Sequence, residues 1–128
     1  MSLEQIIPVL TYRDIAAAQD FLVKAFGFRA GRIDRDGNGT VVHAEVHHGG
    51  GVLWMHRVAP DQGMHAAAKD TESTGLVVHV ADVDRHFAHA KAAGATLMSE
   101  PRDQPYGQRE YGARDPDGHQ WWFATPTS

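Results

Sequence analysis

Histidine is the residue type with the most scope for chemistry in this 128-residue sequence, which has nine histidines and no cysteine. The absence of cysteine excludes disulfides, thiolate metal sites and a cysteine nucleophile. His43, His47 and His48 fall on or after a β-type segment, where the spacing of a helical zinc motif does not apply. His86 and His89 lie on a predicted helix with no third ligand nearby. We therefore predict surface or strand-end positions for the first three and solvent-facing positions for the other two.

Acidic residues offer a second kind of chemistry. Asp115 and Asp117 lie in an Asp-Pro-Asp-Gly segment, which predicts a turn held by side chain–backbone hydrogen bonds rather than catalysis. Glu110 lies in a strand-like segment, and it faces the inner side of a sheet only if the adjoining hairpin keeps its register. There it could bind a ligand amine or act as a base. The alternative is an ion pair with Arg109 or Arg114.

Alternating strand and helix patterns position these residues. Asp14 and Asp82 are predicted helix caps, and Gly27 and Gly94 are predicted helix ends. Pro8 favours a sheet edge or irregular pairing for the first strand. Apolar or alternating segments predict strands over residues 6–12, 28–34, 40–47, 52–58, 76–80, 95–99, 106–114 and 119–125.

The order of these elements repeats after 68 residues. Four pairs of residues share this offset: Asp14 and Asp82, Gly39 and Gly107, Gly50 and Gly118, and Trp54 and Trp122. The repeat predicts the α+β fold class, with two tandem βαβββ modules at 5–58 and 74–125 joined by a linker at 59–73 in one domain, 1–128. Two such modules packed edge to edge form a cup-shaped mixed sheet with helices outside and a cavity inside.

The segments around the helices and the final hairpin resemble the vicinal oxygen chelate superfamily, which includes glyoxalase I, extradiol dioxygenases and the bleomycin resistance proteins. The resemblance lies in Tyr12–Ile15 with Ala25–Phe28, in Val80–Val83 with Ala93–Ala95, and in Tyr106–His119. It covers nearly the whole chain except residues 59–73. It implies the glyoxalase/bleomycin resistance fold, whereas the activity depends on the site, because one fold serves many functions.

The superfamily's metal ligands can be tested position by position. Metal-dependent members carry a histidine on the first strand of a unit and a carboxylate on its last strand. The matching positions here are Ile7 and Gly75 on the first strands and Trp54 and Trp122 on the last strands. Aliphatic side chains and glycine offer no lone pair, and an indole nitrogen only donates. We therefore expect no metal ligands at these positions and no cofactor.

Two indoles replace the expected ligands, and the resemblance places Trp54 and Trp122 on the cavity side. Strand alternation then places Gln120 on the same face as Trp122, and Trp121 and Phe123 on the opposite face toward a helix. Indoles lining a cavity offer flat apolar surfaces for stacking a planar ligand. The alternative is that both rings only fill the space of a metal site.

Two polar residues could add hydrogen bonds or proton transfer to this cavity. His79 shares the face of Gly75 by period 2, and Thr11 is its counterpart in the first module. The alternative for His79 is a structural hydrogen bond.

The resemblance and the indoles together favour a metal-free binding protein for an aromatic or hydrophobic compound, such as an antibiotic, similar to the bleomycin resistance proteins. The predicted ligand-binding residues are Trp54, Trp122, His79, Thr11, Gln120 and Glu110, and no catalytic residue is assigned. One alternative is a glyoxalase-like lyase or isomerase, or a dioxygenase-related enzyme, that uses Glu110 or His79. A further alternative is a metal enzyme whose ligands come from the surplus histidines.

Net charge and hydropathy limit the classes of partner that the sequence predicts. The net charge is −4 and no block of lysine and arginine occurs, so nucleic acid is excluded as an expected partner. No apolar run reaches the ~20 residues of a membrane span. The segment Met1–Glu4 lacks the pattern of a signal peptide, so a soluble cytoplasmic protein is expected. Relatives in the superfamily imply a homodimer.

Overall fold

Strands and helices in the computed structural model, which describes residues 4–68 and 74–127, follow the sequence pattern closely. The elements in chain order are β1 (Val9–Tyr12), α1 (Ile15–Phe26), β2 (Arg29–Arg35), β3 (Val41–His48), β4 (Gly51–Arg57), a 3₁₀ turn (Pro60–Gln62), β5 (Leu76–His79), α2 (Val83–Ala92), β6 (Thr96–Leu97), β7 (Arg102–Asp103), β8 (Gln108–Arg114) and β9 (Gln120–Pro126). The predicted α+β fold class is confirmed. Among the described residues, neither helix is long and apolar enough to cross a membrane.

Both helices begin at the predicted caps. The Asp14 carboxylate accepts a hydrogen bond from the backbone N–H of Ala17, and the Asp82 carboxylate accepts one from the N–H of Arg85, each at 3.1 Å. These bonds satisfy backbone donors that the first turn of a helix leaves unpaired. Gly27 follows α1 with φ 79° and Gly94 follows α2 with φ 87°. Glycine adopts this left-handed conformation without a steric penalty, which explains why both helices end there.

The strands form two mixed sheets with equivalent orders. The first sheet is β1-β4-β3-β2, and the second is β5-β9-β8-β6 with β7 also paired to β8. β1 runs parallel to β4 with Val9 opposite Trp54, and β5 runs parallel to β9 with Val77 opposite Trp122. The two pairings are separated by the same 68 residues as the helix caps. The sequence repeat therefore extends to strand order and register, and β1 lies at a sheet edge as Pro8 indicated.

The segment after α2 differs from the prediction. The strand expected over 95–99 is only Thr96–Leu97, and the proline-bearing loop contains the short strand β7, which was not predicted. The Ser99 hydroxyl accepts the N–H of Gly112 at 3.0 Å, in place of a backbone carbonyl. Pro101, which has no N–H, then cannot extend the ladder. The chain returns to β8 only at Arg102, opposite Glu110.

The chain divides into two compact units. Within the described residues, the first comprises 4–23 and 27–66, and the second comprises 24–26, 67–68 and 74–127. Part of the predicted linker thus belongs to the first unit, where Ala59 and Met64 exchange backbone hydrogen bonds. Residues 69–73 of that linker lie outside the described residues.

The first unit buries one face of its sheet and leaves the other open. Side chains that alternate along β3 and β4 are buried: Ala44, Val46, Leu53 and Met55. Gln19 of α1 lies beside the sheet and donates hydrogen bonds to the backbone carbonyls of Gly31 and Glu45, at 3.3 and 3.0 Å. Because successive strand residues point to opposite faces, Trp54 and its neighbours occupy the open face.

The core of the second unit is an aromatic cluster that contains His86. Its ring lies 4.2 Å from that of Phe123, centroid to centroid, and 5.8 Å from that of Tyr111. Nε2 lies 2.8 Å from the carbonyl of Phe26 and Nδ1 lies 2.6 Å from the Tyr111 hydroxyl. A carbonyl only accepts, so Nε2 carries the proton and Nδ1 accepts from Tyr111.

The prediction that His86 and His89 both face solvent is therefore wrong for His86. It points into the aromatic cluster because both of its ring nitrogens find partners there. His89 is exposed, and its Nε2 lies 2.7 Å from the carbonyl of Lys24. Trp121 and Phe123 are buried in the same cluster, with ring centroids 5.8 and 4.8 Å from Phe26, as strand alternation predicted.

We expect Tyr111→Phe to lower the free energy of unfolding by about 1–2 kcal/mol at neutral pH, because Nδ1 of His86 loses its donor. Burial raises the pKa of the Tyr111 phenol above its usual value. The folded parent therefore keeps a proton that the unfolded chain releases above about pH 10, and the parent loses stability as pH rises. The variant has no phenol at position 111 and lacks this pH-dependent loss of stability. The difference in unfolding free energy between parent and variant should therefore become smaller above about pH 10.

Urea unfolding of parent and variant between about pH 7 and 11 measures both parts of this expectation. Val77→Thr is the control, because that side chain is 58% exposed in the same unit, keeps its shape and does not titrate, so the exchange should change stability by less than about 0.5 kcal/mol at each pH. Equal stability of Tyr111→Phe and parent at neutral pH contradicts the proposed hydrogen bond.

Candidate functional site

The open sheet face of the first unit forms a cavity of ≈ 330 Å³. Trp54 supplies the largest apolar surface of this cavity and is 48% exposed, although it lies in the middle of β4. Its cross-strand neighbours are Val9 on β1 and Glu45 on β3. The residues lining the cavity are Val9, Arg32, Asp34, His43, Ala44, Glu45, Trp54, Met55 and His56. An exposed indole beside polar groups is the composition typical of a small-molecule site.

The polar groups of this cavity are arranged in pairs. Arg32 Nε lies 2.9 Å from an oxygen of Asp34. An oxygen of Glu45 lies 3.0 Å from Nε2 of His47, which is not part of the cavity lining. The imidazole rings of His43 and His56 are 4.8 Å apart, centroid to centroid. The indole of Trp54 lines the same cavity as these polar groups, so the cavity suits a ring system with polar substituents.

His56 has a defined tautomer. Its Nδ1 lies 2.6 Å from the carbonyl of Arg57, which only accepts, so Nδ1 donates and Nε2 keeps its lone pair in the neutral ring. His56 thus offers a hydrogen-bond acceptor at the cavity, next to His43. Of the histidines predicted at the surface or at strand ends, His43 is exposed, whereas His47 and His48 are half-buried. His48 packs against Phe28, with ring centroids 5.5 Å apart.

Gly31 leaves room for the side chains of Glu45 and His47 on the open sheet face of the first unit. A Cβ at this position would lie 2.8 Å from Cγ of Glu45 and 2.8 Å from Nε2 of His47. Both distances are far below van der Waals contact, so any side chain here would displace the paired side chains of Glu45 and His47. Position 31 on β2 must therefore be glycine for the side chains of Glu45 and His47 on β3 to lie where they do.

Thr11 was predicted to contact a ligand, and the structure buries it. Its hydroxyl donates a hydrogen bond to the carbonyl of His65 at 2.6 Å, within the first unit. This bond ties β1 to the segment that follows the 3₁₀ turn. The hydroxyl is therefore engaged by the backbone.

The open sheet face of the second unit carries the other predicted residues. Trp122 lies over Gly112, where an added Cβ would come within 2.6 Å of the indole ring. Val77, the parallel neighbour of Trp122, is 58% exposed, and His79 lies two residues further along the same face and is also exposed. Gln120 is half-buried at the end of β9, opposite Arg114.

Glu110 lies on this same face of β8, two residues before Gly112. It is 9% exposed. Tyr106 donates a hydrogen bond from its hydroxyl to one carboxylate oxygen, and Gln108 donates from Nε2 to the other at 3.0 Å. The first bond, together with burial and the nearby charge, raises the pKa of the Tyr106 phenol.

The predicted residues thus divide between the two units. Trp54 joins the cavity of the first unit, while Trp122, Glu110 and His79 share the open face of the second. That the two indoles line one cavity remains a prediction. Sequence analysis did not identify six polar residues: Arg32, Asp34, Glu45, His56, Tyr106 and Gln108. Alternation along β3, starting from the position opposite Trp54, indicates Glu45 and His43.

Metal coordination does not fit these residues. Trp54 and Trp122 occupy open faces and offer no lone pair for a cation. Among residues 4–68 and 74–127, no group of three or more histidine and carboxylate side chains is placed to hold a metal ion. We therefore derive no chemistry from a metal at these positions.

Fold and site define a class of protein: an α+β chain of two repeated units, each with an open sheet face that presents a tryptophan. The chain belongs to the Glyoxalase/Bleomycin resistance protein/Dioxygenase superfamily, whose family model matches residues 4–123. This result agrees with the resemblance seen in the sequence.

Relatives and solved structures support the same assignment. An uncharacterized protein of Mycobacterium bovis is 33% identical over 124 residues, which cover 93% of this chain and 81% of the relative. TioX from Micromonospora sp. ML1 is 33% identical with a TM-score of 0.75, covering 98% of each chain. TnmS3, an antibiotic binding protein from Streptomyces sp. CB03234, is 23% identical with a TM-score of 0.76, covering 98% of each chain, and shows the shared fold.

Proposed function

We propose that this protein binds a small planar, largely apolar molecule, such as an aromatic antibiotic, without a metal or cofactor. The single observation that carries the proposal is the Trp54 indole, 48% exposed in a strand centre and forming one side of a ≈ 330 Å³ cavity. A large exposed aromatic side chain in the middle of a sheet loses hydrophobic free energy unless something covers it. The description of TnmS3 as an antibiotic binding protein supports this class of ligand.

The chemistry of the cavity supports binding through contact area and hydrogen bonds. Stacking on an indole adds about 0.5–1.5 kcal/mol beyond the burial of area. His56 Nε2 offers an acceptor and Arg32 an exposed donor at the cavity edge. These groups suit a ring bearing hydroxyl or carbonyl substituents. We retain the expectation of a cytoplasmic homodimer as part of the proposal; analytical ultracentrifugation tests the dimer.

Titration with a panel of anthracycline and other planar aromatic antibiotics tests the proposal, with calorimetry to obtain Kd. We expect Trp54→Ala to weaken binding by about 10- to 30-fold, since it removes both stacking and buried area. Trp54→Phe should keep a ring and lose less. The control is Ile6→Ala, which removes an apolar side chain that is 94% exposed in the same unit but does not line the cavity.

Two outcomes count against the proposal: no compound of the panel binds, or Trp54→Ala binds as tightly as the parent. Mass spectrometry of the recovered ligand separates binding from turnover. An unchanged ligand supports a binding protein, whereas a converted ligand supports an enzyme.

A further inference from the structure

Glu110 and Trp122 are diagonal neighbours on the open face of the second unit. Gly112 is paired with Trp122, and Glu110 is paired with Ala124, two residues along the same strands. The Cβ direction at Gly112 points into the Trp122 ring, so this ring and the side chain of Glu110 share one face. Diagonal neighbours across an antiparallel pair are close enough for one small molecule to contact both.

The groups that donate hydrogen bonds to the Glu110 carboxylate are neutral. Its two oxygens accept hydrogen bonds from the Tyr106 hydroxyl and the Gln108 amide. Arg102 lies opposite Glu110 in β7 but forms no ion pair with it in the part of the chain that the structure describes. A carboxylate that is nine-tenths buried is stabilised far better by a cation than by neutral donors.

The alternative for Glu110, an ion pair with Arg109 or Arg114, is wrong, because both arginines are engaged elsewhere. Arg114 donates from Nη1 to the carbonyl of Gly118 at 2.8 Å. The side chain of Arg109 points to Asp84 and Asp103, at 3.1 and 3.2 Å. The Asp84 carboxylate, and next that of Asp103, raise the pKa of the Arg109 guanidinium. The reason is alternation: Arg109 and Glu110 are consecutive in a strand and point to opposite faces.

We propose that Glu110 and Trp122, both in the second unit, form an ammonium-binding site for the protonated amine of an aromatic compound. This inference rests on the proposed function, the binding of aromatic compounds, and adds a cationic compound as the class that the second unit takes. The amine would bind the Glu110 carboxylate, and the indole face would attract the same positive charge. Tyr106, 65% exposed, lies at the solvent side of the carboxylate that it contacts.

The arrangement favours an ammonium over a divalent metal ion. Each oxygen of Glu110 accepts one bond, from Tyr106 or Gln108, and keeps a second lone pair for a cation. A divalent metal ion needs several further oxygen ligands, and no third ligand group is placed nearby among the described residues. An ammonium is compact and needs a single free lone pair.

Two matched probes test the ammonium-binding site: 1-(aminomethyl)naphthalene, which is protonated at neutral pH, and its neutral N-acetyl derivative. Titrations of ¹⁵N-labelled protein follow the indole N–H signals of Trp54 and Trp122, assigned with Trp→Phe variants. We expect the amine to shift the Trp122 signal and to bind about 10-fold more tightly than the amide, as one charge-assisted hydrogen bond provides. Added salt should reduce this preference.

The preference should disappear in Glu110→Gln, which keeps the size of the side chain and removes its charge. Glu100→Gln is the matched control, because it removes one exposed negative charge from the same unit. Amide spectra away from the site confirm that both variants fold. An equal loss in the two variants overturns the inference, since it reflects net charge only.

The outcomes separate this inference from the proposed function. If both probes bind equally and shift Trp54, the cavity binds aromatic rings and the ammonium-binding site is wrong. If neither probe shifts either indole, both the proposed function and the ammonium-binding site are contradicted. A shift of Trp122 by the amine that Glu110→Gln abolishes supports the ammonium-binding site, and a shift of Trp54 by both probes supports the aromatic cavity of the proposed function.

Discussion

Asp115→Ala is expected to lower the free energy of unfolding by about 3 kcal/mol, a roughly 100-fold change in the folding equilibrium. Asp115 is buried, and one of its oxygens accepts the backbone N–H groups of Asp117 and His119, both at 3.1 Å. Its other oxygen accepts the indole N–H of Trp121 at 3.1 Å. Alanine removes the carboxylate acceptor of that buried indole N–H, and the same change releases the turn between β8 and β9.

The first unit contains a natural control for this prediction. Asp36 holds the turn between β2 and β3 in the same way, accepting the N–H groups of Asn38 and Thr40 at 2.9 and 3.0 Å. That turn is exposed, and the hydrogen bonds described for Asp36 come from backbone N–H groups rather than from an indole. Asp36→Ala should therefore cost only about 1 kcal/mol. Urea unfolding of both variants measures the difference, which we assign to burial and the indole bond.

A double-mutant cycle makes the assignment sharper. In a Trp121→Phe background the donor is already absent, so Asp115→Ala should cost little more than Asp36→Ala. Equal costs of Asp36→Ala and Asp115→Ala in the parent background contradict the role of the buried indole bond.

Gly112→Ala is expected to lower the free energy of unfolding by about 2 kcal/mol and to displace Trp122. The added Cβ would lie 2.6 Å from Cζ3 of the indole and 2.9 Å from two further ring atoms. The ring must therefore move or the strand must shift. Glycine to alanine in a strand without such a contact stabilises by about 0.5–1 kcal/mol, so the sign of the change is diagnostic.

Gly75→Ala is the matched control for Gly112→Ala. It lies in the same unit, and an added Cβ has no atom within 4 Å, so stability should stay constant or rise slightly. In a Trp122→Leu background the clashing ring is absent, and Gly112→Ala should then be nearly neutral. Thermal or urea unfolding measures both, and the Trp122 fluorescence reports the displacement. A stabilising effect of Gly112→Ala in the parent is inconsistent with the close contact.

Local signals in the sequence were sufficient to predict most of the helices, strands and turns. The caps Asp14 and Asp82, the glycines that end both helices and the turn residue Asp115 act through contacts with neighbours a few positions away. The repeat at 68 residues also predicted the equivalent positions of Trp54 and Trp122. Such features depend on spacing along the chain, so a sequence expresses them directly.

Contacts between residues distant in the chain determine where His86 lies and where β6 ends. His86 was predicted to face solvent because helical periodicity shows only the position of a residue on its helix. Its inward orientation depends on the carbonyl of Phe26 and the hydroxyl of Tyr111, which are distant in the chain. The end of β6 likewise depends on the Ser99 hydroxyl meeting Gly112.

The sequence by itself determined the superfamily, the helix boundaries and the replacement of the expected metal ligands by indoles. Only the tertiary structure showed that Glu110 is bound by Tyr106 and Gln108 rather than by an arginine, and that Gly31 makes room for Glu45 and His47. The physical reason is that charge pairing and close contact depend on side-chain direction across strands, whereas caps, turns and repeats depend on order along one strand or helix.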